Sequence, residues 1–243
     1  MQDPSVKKLF YEQVERYSRE DQSAFFSPVI SLFINWLKKN KPTKPLEICE
    51  FGGGGGLLLS RLAKFSPKAK LTNVELVAEY RKYQILPEIR FINGSILVPK
   101  FADSSFDIIV IRDVLHHLIG ENLSNTRKNQ RQALLELKRL LKPGGAIFIE
   151  ELVNQSKIAG RIIYGLSKIN SSLGIRSKYF QISPHTIVAF LTSKELLKLA
   201  SEVFGKKNIS RAIFRPSFYG LRFRLVHLGS SSGKQLLVIE KPR

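Results

Sequence analysis

The chain has 243 residues, a formal net charge of +19 and one cysteine. This length fits a single domain with a substantial core, while the lone cysteine excludes a disulfide within the chain and a multi-cysteine metal site. The sequence begins without the apolar core of a signal peptide, and no segment offers about 18 uncharged apolar residues in a row, so we expect a cytoplasmic protein.

The amino-terminal part predicts two helices, over residues 5–19 and from Pro28 to Leu37. Proline suits the first turn of a helix, and the apolar residues after Pro28 recur at helical spacing. A polar, proline-broken linker follows at residues 41–45. We therefore assign residues 1–45 to a helical cap.

From Leu46 onward, short apolar strands alternate with helical stretches, a pattern typical of a parallel sheet with crossover helices. The predicted strands are residues 46–51, 70–75, 89–93, 106–112 and 146–150. The predicted helices are residues 57–65, 77–84 and 127–141, the last closed by a turn at residues 142–145. Residues 46–151 are thus predicted to form the core.

The segment 152–191 shows no strand pattern, contains an amphipathic piece from Ile158 to Leu166, and is interpreted as a lid or insertion. A capping box from Thr192 to Glu195 predicts a helix that ends near Gly205. Strands at 210–215 and 234–240 complete the sheet. Residues 192–243 form the carboxyl-terminal part of one domain, 1–243.

Five consecutive glycines, residues 52–56, lie between the first core strand and the first core helix. Such a turn lets the backbone approach a ligand, and the helix amino terminus favours a negative group. Dinucleotides need glycines at relative positions 1, 3 and 6, but here the sixth position is leucine in every register. The dinucleotide interpretation therefore fails.

What remains is an acid-x-Gly-x-Gly-x-Gly pattern at Glu50, Gly52, Gly54 and Gly56. It resembles the first motif of class I S-adenosylmethionine-dependent methyltransferases, in which the acid and the glycine loop line the methionine end of the cofactor. Glu75 ends the second strand about twenty residues later, where a carboxylate can accept both hydroxyl protons of a ribose. The resemblance implies S-adenosylmethionine as the cofactor.

The resemblance continues through residues 91–95, 106–117 and 140–145, covers about 46–150, and is nearest to small-molecule methyltransferases related to quinone biosynthesis. It implies an α/β fold: a doubly wound, Rossmann-like, seven-stranded, mostly parallel sheet with an N-terminal helical cap and a helical insertion after the fifth strand. The further cofactor-binding residues that it implies are Phe51, Leu76, Gly94, Ser95, Ile96, Arg112 and Asp113.

One position departs from the family pattern. The family usually has Gly-Asp after the third strand, with the aspartate accepting from the adenine amino group, whereas this chain has Gly94-Ser95. A serine hydroxyl can still accept, but without a charge. The backbone N–H of Ile96 could still reach the adenine ring.

The segment from Arg112 to His117 follows the fourth strand, and ligands of open α/β sheets bind beyond the carboxyl ends of the strands. Methyl transfer from a sulfonium is an in-line displacement, so alignment and desolvation can supply most of the catalysis. If the acceptor is a hydroxyl or an acidic carbon, His116 or His117 is the natural base. Either histidine could instead pack at the junction, and Arg112 and Asp113 could form an ion pair. His185 and His227 have no motif around them and are interpreted as surface or structural residues.

Other chemistries lack their motifs: we find no metal-ligand spacing, no Gly-x-Ser-x-Gly elbow and no phosphate loop, and we expect no metal. Cytosine-C5 methylation needs a cysteine near the fourth strand, but Cys49 lies in the first. The Asn-Pro-Pro-aromatic tetrad of adenine or glutamine methylation is also missing.

The favoured acceptor is a small molecule, lipophilic or anionic, enclosed by the cap and the segment 152–191. Residues 152–243 hold 16 Lys and Arg but only three Asp and Glu, which would attract an anionic acceptor or an anionic membrane. A predicted strand from Leu221 to Leu225 would have one apolar and one cationic face. The alternative is a nucleic-acid methyltransferase or a nucleic-acid-binding protein with the same fold. Aromatic residues that could line the acceptor pocket are Phe10, Tyr11, Tyr17, Phe25, Phe26, Tyr164, Tyr179 and Phe180.

Overall fold

The computed structural model describes residues 7, 8, 11, 14, 27–175, 187–216, 228 and 231–243. Within this part of the chain the strands are β1 Glu47–Phe51, β2 Lys70–Glu75, β3 Arg90–Asn93, β4 Phe106–Arg112, β5 Leu141–Asn154, β6 Ile209–Pro216 and β7 Ser232–Glu240. They form one sheet in the order β3-β2-β1-β4-β5-β7-β6. Strands β1 to β5 pair in parallel, whereas β7 is antiparallel to β5 and β6. The predicted fold class is confirmed.

The α-helices of the described residues are α1 Pro28–Asn40, α2 Leu57–Ala63, α3 Leu123–Leu140, α4 Lys157–Leu173 and α5 Ser193–Phe204. Helix α1 begins where predicted, because the Ser27 hydroxyl accepts from the N–H of Val29 and Pro28 occupies the first turn. Of the predicted helix over 5–19, residues 7, 8, 11 and 14 are helical, and the others lie outside the described residues.

Both faces of the sheet are covered, as expected for strands that are apolar on both sides. Ile109 and Ile111 of β4 belong to the core beneath α3 and α5, while Ile108 and Val110 belong to the core beneath α1 and α2. All four side chains are fully buried. This rigid sheet fixes the positions of the loops at its carboxyl edge.

Three predicted boundaries in the core were wrong. Helix α3 begins one turn before residue 127, because the side chain of Asn122 accepts from the N–H of Asn125 (2.9 Å) and caps it. The predicted turn 142–145 belongs to β5, where the N–H of Gly144 donates to Lys241 O (2.9 Å). The predicted helix 77–84 is a 3-10 helix, Ala78–Tyr83.

The segment after the fifth strand is more regular than the sequence pattern predicted. Strand β5 continues to Asn154, paired with Ser232 of β7, so the first three residues of 152–191 lie in the sheet. The amphipathic piece is part of α4, and the capping box between Thr192 and Glu195 is present. Among the described residues, no helix is both long and apolar enough to cross a membrane.

Candidate active site

The glycine run forms a tight turn between β1 and α2. Gly52, Gly54 and Gly56 have φ angles of 74°, 53° and 78°, in the left-handed region that favours glycine. At Gly55, whose φ is not positive, an added Cβ would lie 2.5 Å from the carbonyl oxygen of Tyr83. The turn therefore has no room for side chains and presents bare backbone.

Glu75, at the end of β2, reaches this turn directly. Its Oε2 accepts from the N–H of Gly54 (3.1 Å), and its Oε1 accepts from the N–H of Val77 (3.2 Å). Burial raises the pKa of Glu75, and these backbone N–H groups oppose the rise. The N–H of Leu76 contributes as well, and a carboxylate has about four lone-pair positions, so Glu75 can still accept from a further donor.

Two buried polar side chains lie under the turn. Glu50 is 2% exposed, and an added Cβ at Gly53 would lie 2.7 Å from its carboxylate. The Nδ2 of Asn73 donates to Gly54 O (2.7 Å), while its Oδ1 has no hydrogen-bond partner among the described residues. A buried amide oxygen in this state indicates a place for an external donor. The side chain of Phe51, in contrast, is buried in the core, so only its backbone can face a ligand.

The predicted adenine-binding residues lie at the end of β3, next to β2. The N–H of Gly94 donates to Glu75 O (2.9 Å), and the side chain of Asn93 donates to Leu76 O (2.9 Å). The Ser95 hydroxyl accepts from the N–H of Leu97 (3.2 Å), which leaves its proton and one lone pair. The side chain of Ile96 is buried, so a ligand could meet only its backbone.

Asp113 binds on the β5 and β7 side of the site. Its Oδ1 accepts from the N–H of Leu152 (3.0 Å), and its Oδ2 forms an ion pair with Lys234. Burial raises the pKa of Asp113, but Lys234, together with His116 and Arg112, outweighs burial and lowers it. The same pair raises the pKa of Lys234 against its own burial. Of the segment that follows β4, Val114 lies against the glycine turn, since its Cγ2 would be 2.7 Å from a Cβ placed at Gly52.

His116 is held by a carboxylate that the sequence analysis did not select. Its Nδ1 lies 2.5 Å from Oε1 of Glu151, and both residues are buried. The other oxygen of Glu151 accepts from the N–H groups of Val114 (3.1 Å) and Leu115 (2.9 Å). Because backbone N–H groups already donate to Glu151, its carboxylate accepts from the ring of His116 as well. In a neutral imidazole this puts the proton on Nδ1 and leaves the lone pair on Nε2.

The second histidine of the pair, His117, has a pKa below the usual range. Burial lowers the pKa of His117 well below its ordinary value, and the adjacent His116 lowers it further. The two rings lie 4.0 Å apart between centroids, and the ring of Phe190 lies 5.3 Å from that of His116 on another side. His117 is therefore a neutral imidazole at physiological pH.

Asp113, His116 and Glu151 have ligand atoms within 4.8 Å of one another, a spacing that could hold a metal ion. Lys234 already pairs with Asp113, and each oxygen of Glu151 accepts from at least one backbone N–H. A cation would have to displace these donors. The cluster is better suited to holding a proton.

A second buried acid lies next to Glu151. Glu150 accepts from the Ser27 hydroxyl (2.5 Å) and stands opposite Arg112 in the β4–β5 register. Burial raises the pKa of Glu150, against the effects of Ser27 and Lys234. Sequence reasoning missed Glu150, Glu151 and Lys234. The rule that selected 112–117 could have found the two acids, since they too end a parallel strand.

Several predicted residues cannot be placed. His185, His227 and the strand 221–225 lie outside the described residues, as do Phe10, Tyr17, Phe25, Phe26, Tyr179 and Phe180. Of the aromatic residues proposed for the pocket, Tyr11 is 59% exposed and Tyr164 packs against a small cluster of Ile119, Ile187 and Ala189.

Comparison with known sequences assigns a family to the part of the chain that holds the glycine turn and the segment after β4. The methyltransferase domain family matches residues 49–149. The chain carries a class I S-adenosylmethionine-dependent methyltransferase domain.

Among named relatives of this methyltransferase domain, a ubiquinone biosynthesis O-methyltransferase from Rickettsia conorii is 25% identical over 189 residues, covering 76% of this chain and 59% of that protein. A cephaeline 6'-O-methyltransferase from Carapichea ipecacuanha is 28% identical over 173 residues, covering 70% and 45%. The chain thus spans about half the length of these curated relatives.

The fold has solved counterparts. A 1,6-didemethyltoxoflavin-N1-methyltransferase from Burkholderia thailandensis, crystallised with its acceptor and S-adenosylhomocysteine, superposes with a TM-score of 0.59. The superposition covers 99% of this chain and 88% of that one, at 15% identity. At this identity the likeness concerns the fold alone.

The residues at the carboxyl edge of the methyltransferase domain fit S-adenosylmethionine. The bare glycine turn accepts a ligand at backbone distance, and the unpaired Oδ1 of Asn73 suits a donor beneath it. Glu75 can still accept from a ribose hydroxyl, and the end of β3 lies alongside for the adenine. These groups would hold the cofactor from its amino-acid end to its base.

Proposed function

We propose that this chain transfers a methyl group from S-adenosylmethionine to a small acceptor, by in-line displacement at the edge where β1, β2 and β4 end. The observation that carries the proposal is the contact of Glu75 with the N–H of Gly54 (3.1 Å). The carboxylate that would accept from the ribose hydroxyls is thus hydrogen-bonded directly to the backbone of the glycine turn. The proposed cofactor-binding residues are those that the resemblance assigned, from Glu50 to Asp113, with Val114 added.

The bound cofactor would supply an activated methyl group on a sulfonium. In the proposed step, the bond from that carbon to sulfur breaks as a bond to the acceptor atom forms, and the sulfonium becomes a neutral thioether. The acceptor then loses its proton. Protein residues must therefore align the acceptor, exclude water and receive one proton.

The proton that the acceptor loses is proposed to go to Nε2 of His116. The contact of Nδ1 with Glu151 (2.5 Å) leaves the Nε2 lone pair as the acceptor and stabilises the imidazolium that would form. His117 is the poorer base, because burial lowers its pKa well below the ordinary value. Its proposed role is to pack against His116 and restrict the ring.

The acceptor is proposed to be a small, anionic or lipophilic molecule that bears a hydroxyl group. Both named sequence relatives are O-methyltransferases. A small cavity between α3 and α4 is lined by three cationic residues, Arg127, Lys157 and Arg161, together with one carboxylate, Glu195. Phe190 lines the same cavity and packs on His116, which supports an anionic group held near the base. In this proposal, residues 1–45 and 152–191 enclose the acceptor.

The nucleic-acid alternative rests on net charge alone. Against it, the cephaeline 6'-O-methyltransferase relative acts, by its name, on a small molecule. Binding of RNA that weakens steeply with salt, together with label transfer to RNA, would favour it.

A label-transfer screen tests the proposal. Cell extract is fractionated and incubated with the protein and cofactor labelled in its methyl group, alongside His116→Ala as the matched control. We expect label in a small-molecule fraction with wild type and about 10² times less with the variant. Label in no fraction, from a folded protein that binds the cofactor, would contradict methyl transfer.

A further inference from the structure

Helix α4 carries apolar side chains that stay exposed within the described part of the chain. Its buried residues are Ala159 and Ile163. Beside them, five large apolar residues are exposed by 73, 46, 54, 57 and 66%, namely Ile158, Ile162, Leu166, Ile169 and Leu173. Ile175 follows, also exposed by 53%. Six of the eleven large apolar side chains exposed in the described residues therefore lie within 158–175.

These five side chains form one straight stripe, here called the α4 stripe. At 100° per residue they fall within an arc of about 80°, and they extend over about 22 Å of helix. Scattered apolar residues on a surface are normal, whereas a contiguous set marks an interaction site. On the same scale Ala159 and Ile163 lie beside the stripe, so the stripe continues the buried face of the helix outward into solvent.

The charges around the stripe are of one sign. Lys157, Arg161 and Lys168 lie within about 40° of one another along one flank of the helix. Lys157 is also 3.4 Å from Glu195. In the sequence, the 43 residues between Glu151 and Glu195 contain six Lys and Arg and no Asp or Glu.

We propose that helix α4 docks on an anionic lipid membrane, with the α4 stripe inserted among the lipid chains and its cationic flank at the headgroups. An apolar stripe edged by cations is the pattern of helices that lie in the plane of a membrane interface. Each Lys or Arg near the surface adds attraction to anionic lipid. Lys157 and Arg161 of this flank also line the cavity between α3 and α4. The proposal goes beyond the methyl transfer proposed above and does not depend on it.

Two other occupants fit the stripe less well. A second copy of the chain, placed on a two-fold axis, would bring the cationic flank of one helix against that of its partner. A nucleic acid would be drawn by the charges but has no use for five aliphatic side chains, because base stacking needs aromatic ones.

Vesicle cosedimentation tests the docking. Wild type is mixed with phosphatidylcholine vesicles that contain about 30% phosphatidylserine, and with pure phosphatidylcholine vesicles, at low and high salt. We expect binding to the anionic vesicles that weakens with salt, and about tenfold less to the neutral ones. The double variant Ile162→Ser, Leu166→Ser should lose binding about tenfold or more. The matched control is Phe65→Ser, which removes a side chain that is equally exposed, 47%, but lies outside the stripe.

A second measurement avoids any loss of folding. Leu166→Trp adds an apolar probe, and Trp36, the only other tryptophan, is buried. Its emission should shift to the blue when anionic vesicles are added. Absence of wild-type binding to either vesicle would overturn the proposal. So would equal losses in the double variant and Phe65→Ser, or a dimer that the double variant dissociates. In each case calorimetry with S-adenosylmethionine shows separately whether the methyltransferase site is intact.

Discussion

The Nδ1 of His116 lies 2.5 Å from a carboxylate oxygen of Glu151. His116 follows β4, and Glu151 lies in β5, one residue past the last pair between these two parallel strands. Glu151 also accepts from the backbone N–H groups of Val114 and Leu115. The loop after β4 is therefore fixed by the same carboxylate that orients the histidine. This arrangement lets a base keep its geometry in a site that must also open for an acceptor.

His116→Ala is expected to lower kcat by about 10²- to 10⁴-fold without changing the dissociation constant of S-adenosylmethionine. Glu151→Gln should lower kcat in the same direction, because the ring loses its orienting acceptor. The double variant should be no slower than His116→Ala alone, since both changes remove one function. Steady-state kinetics with the acceptor found by label transfer would check this. Multiplicative losses would show that the two residues act independently.

His117 should make the stability of the domain depend on pH. Its folded pKa lies below the unfolded value, so the unfolded chain binds a proton that the folded chain does not. His117 therefore does not reduce the free energy of unfolding above about pH 6.5. Below that pH it should reduce it by at most about 1.4 kcal/mol per pH unit. Urea unfolding at pH 7.5, 6 and 5 measures this slope. His117→Gln should make the free energy of unfolding depend less on pH. An unchanged dependence would contradict the lowered pKa of His117.

The ion pair of Lys234 with Asp113 should stabilise the fold measurably. Lys234→Met leaves a mostly buried carboxylate without its cation and should reduce the free energy of unfolding by about 1–3 kcal/mol. Lys39→Met is the matched control, because Lys39 pairs with Glu240 but is 65% exposed. That change should cost about 1 kcal/mol or less. Equal effects in the two variants, measured by urea unfolding, would argue against a special role for Lys234.

Ser95→Asp should tighten cofactor binding. An aspartate adds a charged acceptor where the family usually has one, and it can still accept from the N–H of Leu97, as Ser95 does. A hydrogen bond to a charged group exceeds a neutral one by about 1 kcal/mol, which corresponds to about a fivefold lower dissociation constant. Calorimetry measures the change, with Ser105→Asp as a control on an exposed loop residue. Weaker binding by Ser95→Asp would place the adenine elsewhere.

The sequence predicted the parallel sheet well, because buried strands such as β4 read as short, uniformly apolar runs. It predicted α1 from Pro28 and the helical spacing of the apolar residues after it, and α5 from the capping box at Thr192. It misplaced the start of α3, since the apolar period begins a turn after the cap at Asn122. It also stopped β5 too early, because the acids Glu150 and Glu151 interrupt the apolar run, whereas pairing with β7 continues the strand to Asn154.

The site was predicted in part for a similar reason. The glycine turn and Glu75 could be predicted to lie together, because they follow one another in the sequence at the ends of two neighbouring strands. The partners Glu151 and Lys234 come from distant segments and meet only when β4, β5 and β7 align. Their pairing with His116 and Asp113 is therefore a property of the folded sheet.

The central claim is that the glycine turn beside Glu75 binds S-adenosylmethionine, and titration calorimetry tests it most directly. Gly54 and Gly174 both have positive φ angles, 53° and 74°, so Gly54→Arg and Gly174→Arg carry a similar backbone penalty. Nothing lies within 4 Å of a Cβ at Gly174. We predict that wild type and Gly174→Arg bind one cofactor per chain and that Gly54→Arg binds none. A folded wild type that releases no heat, or equal binding by both variants, would contradict the claim.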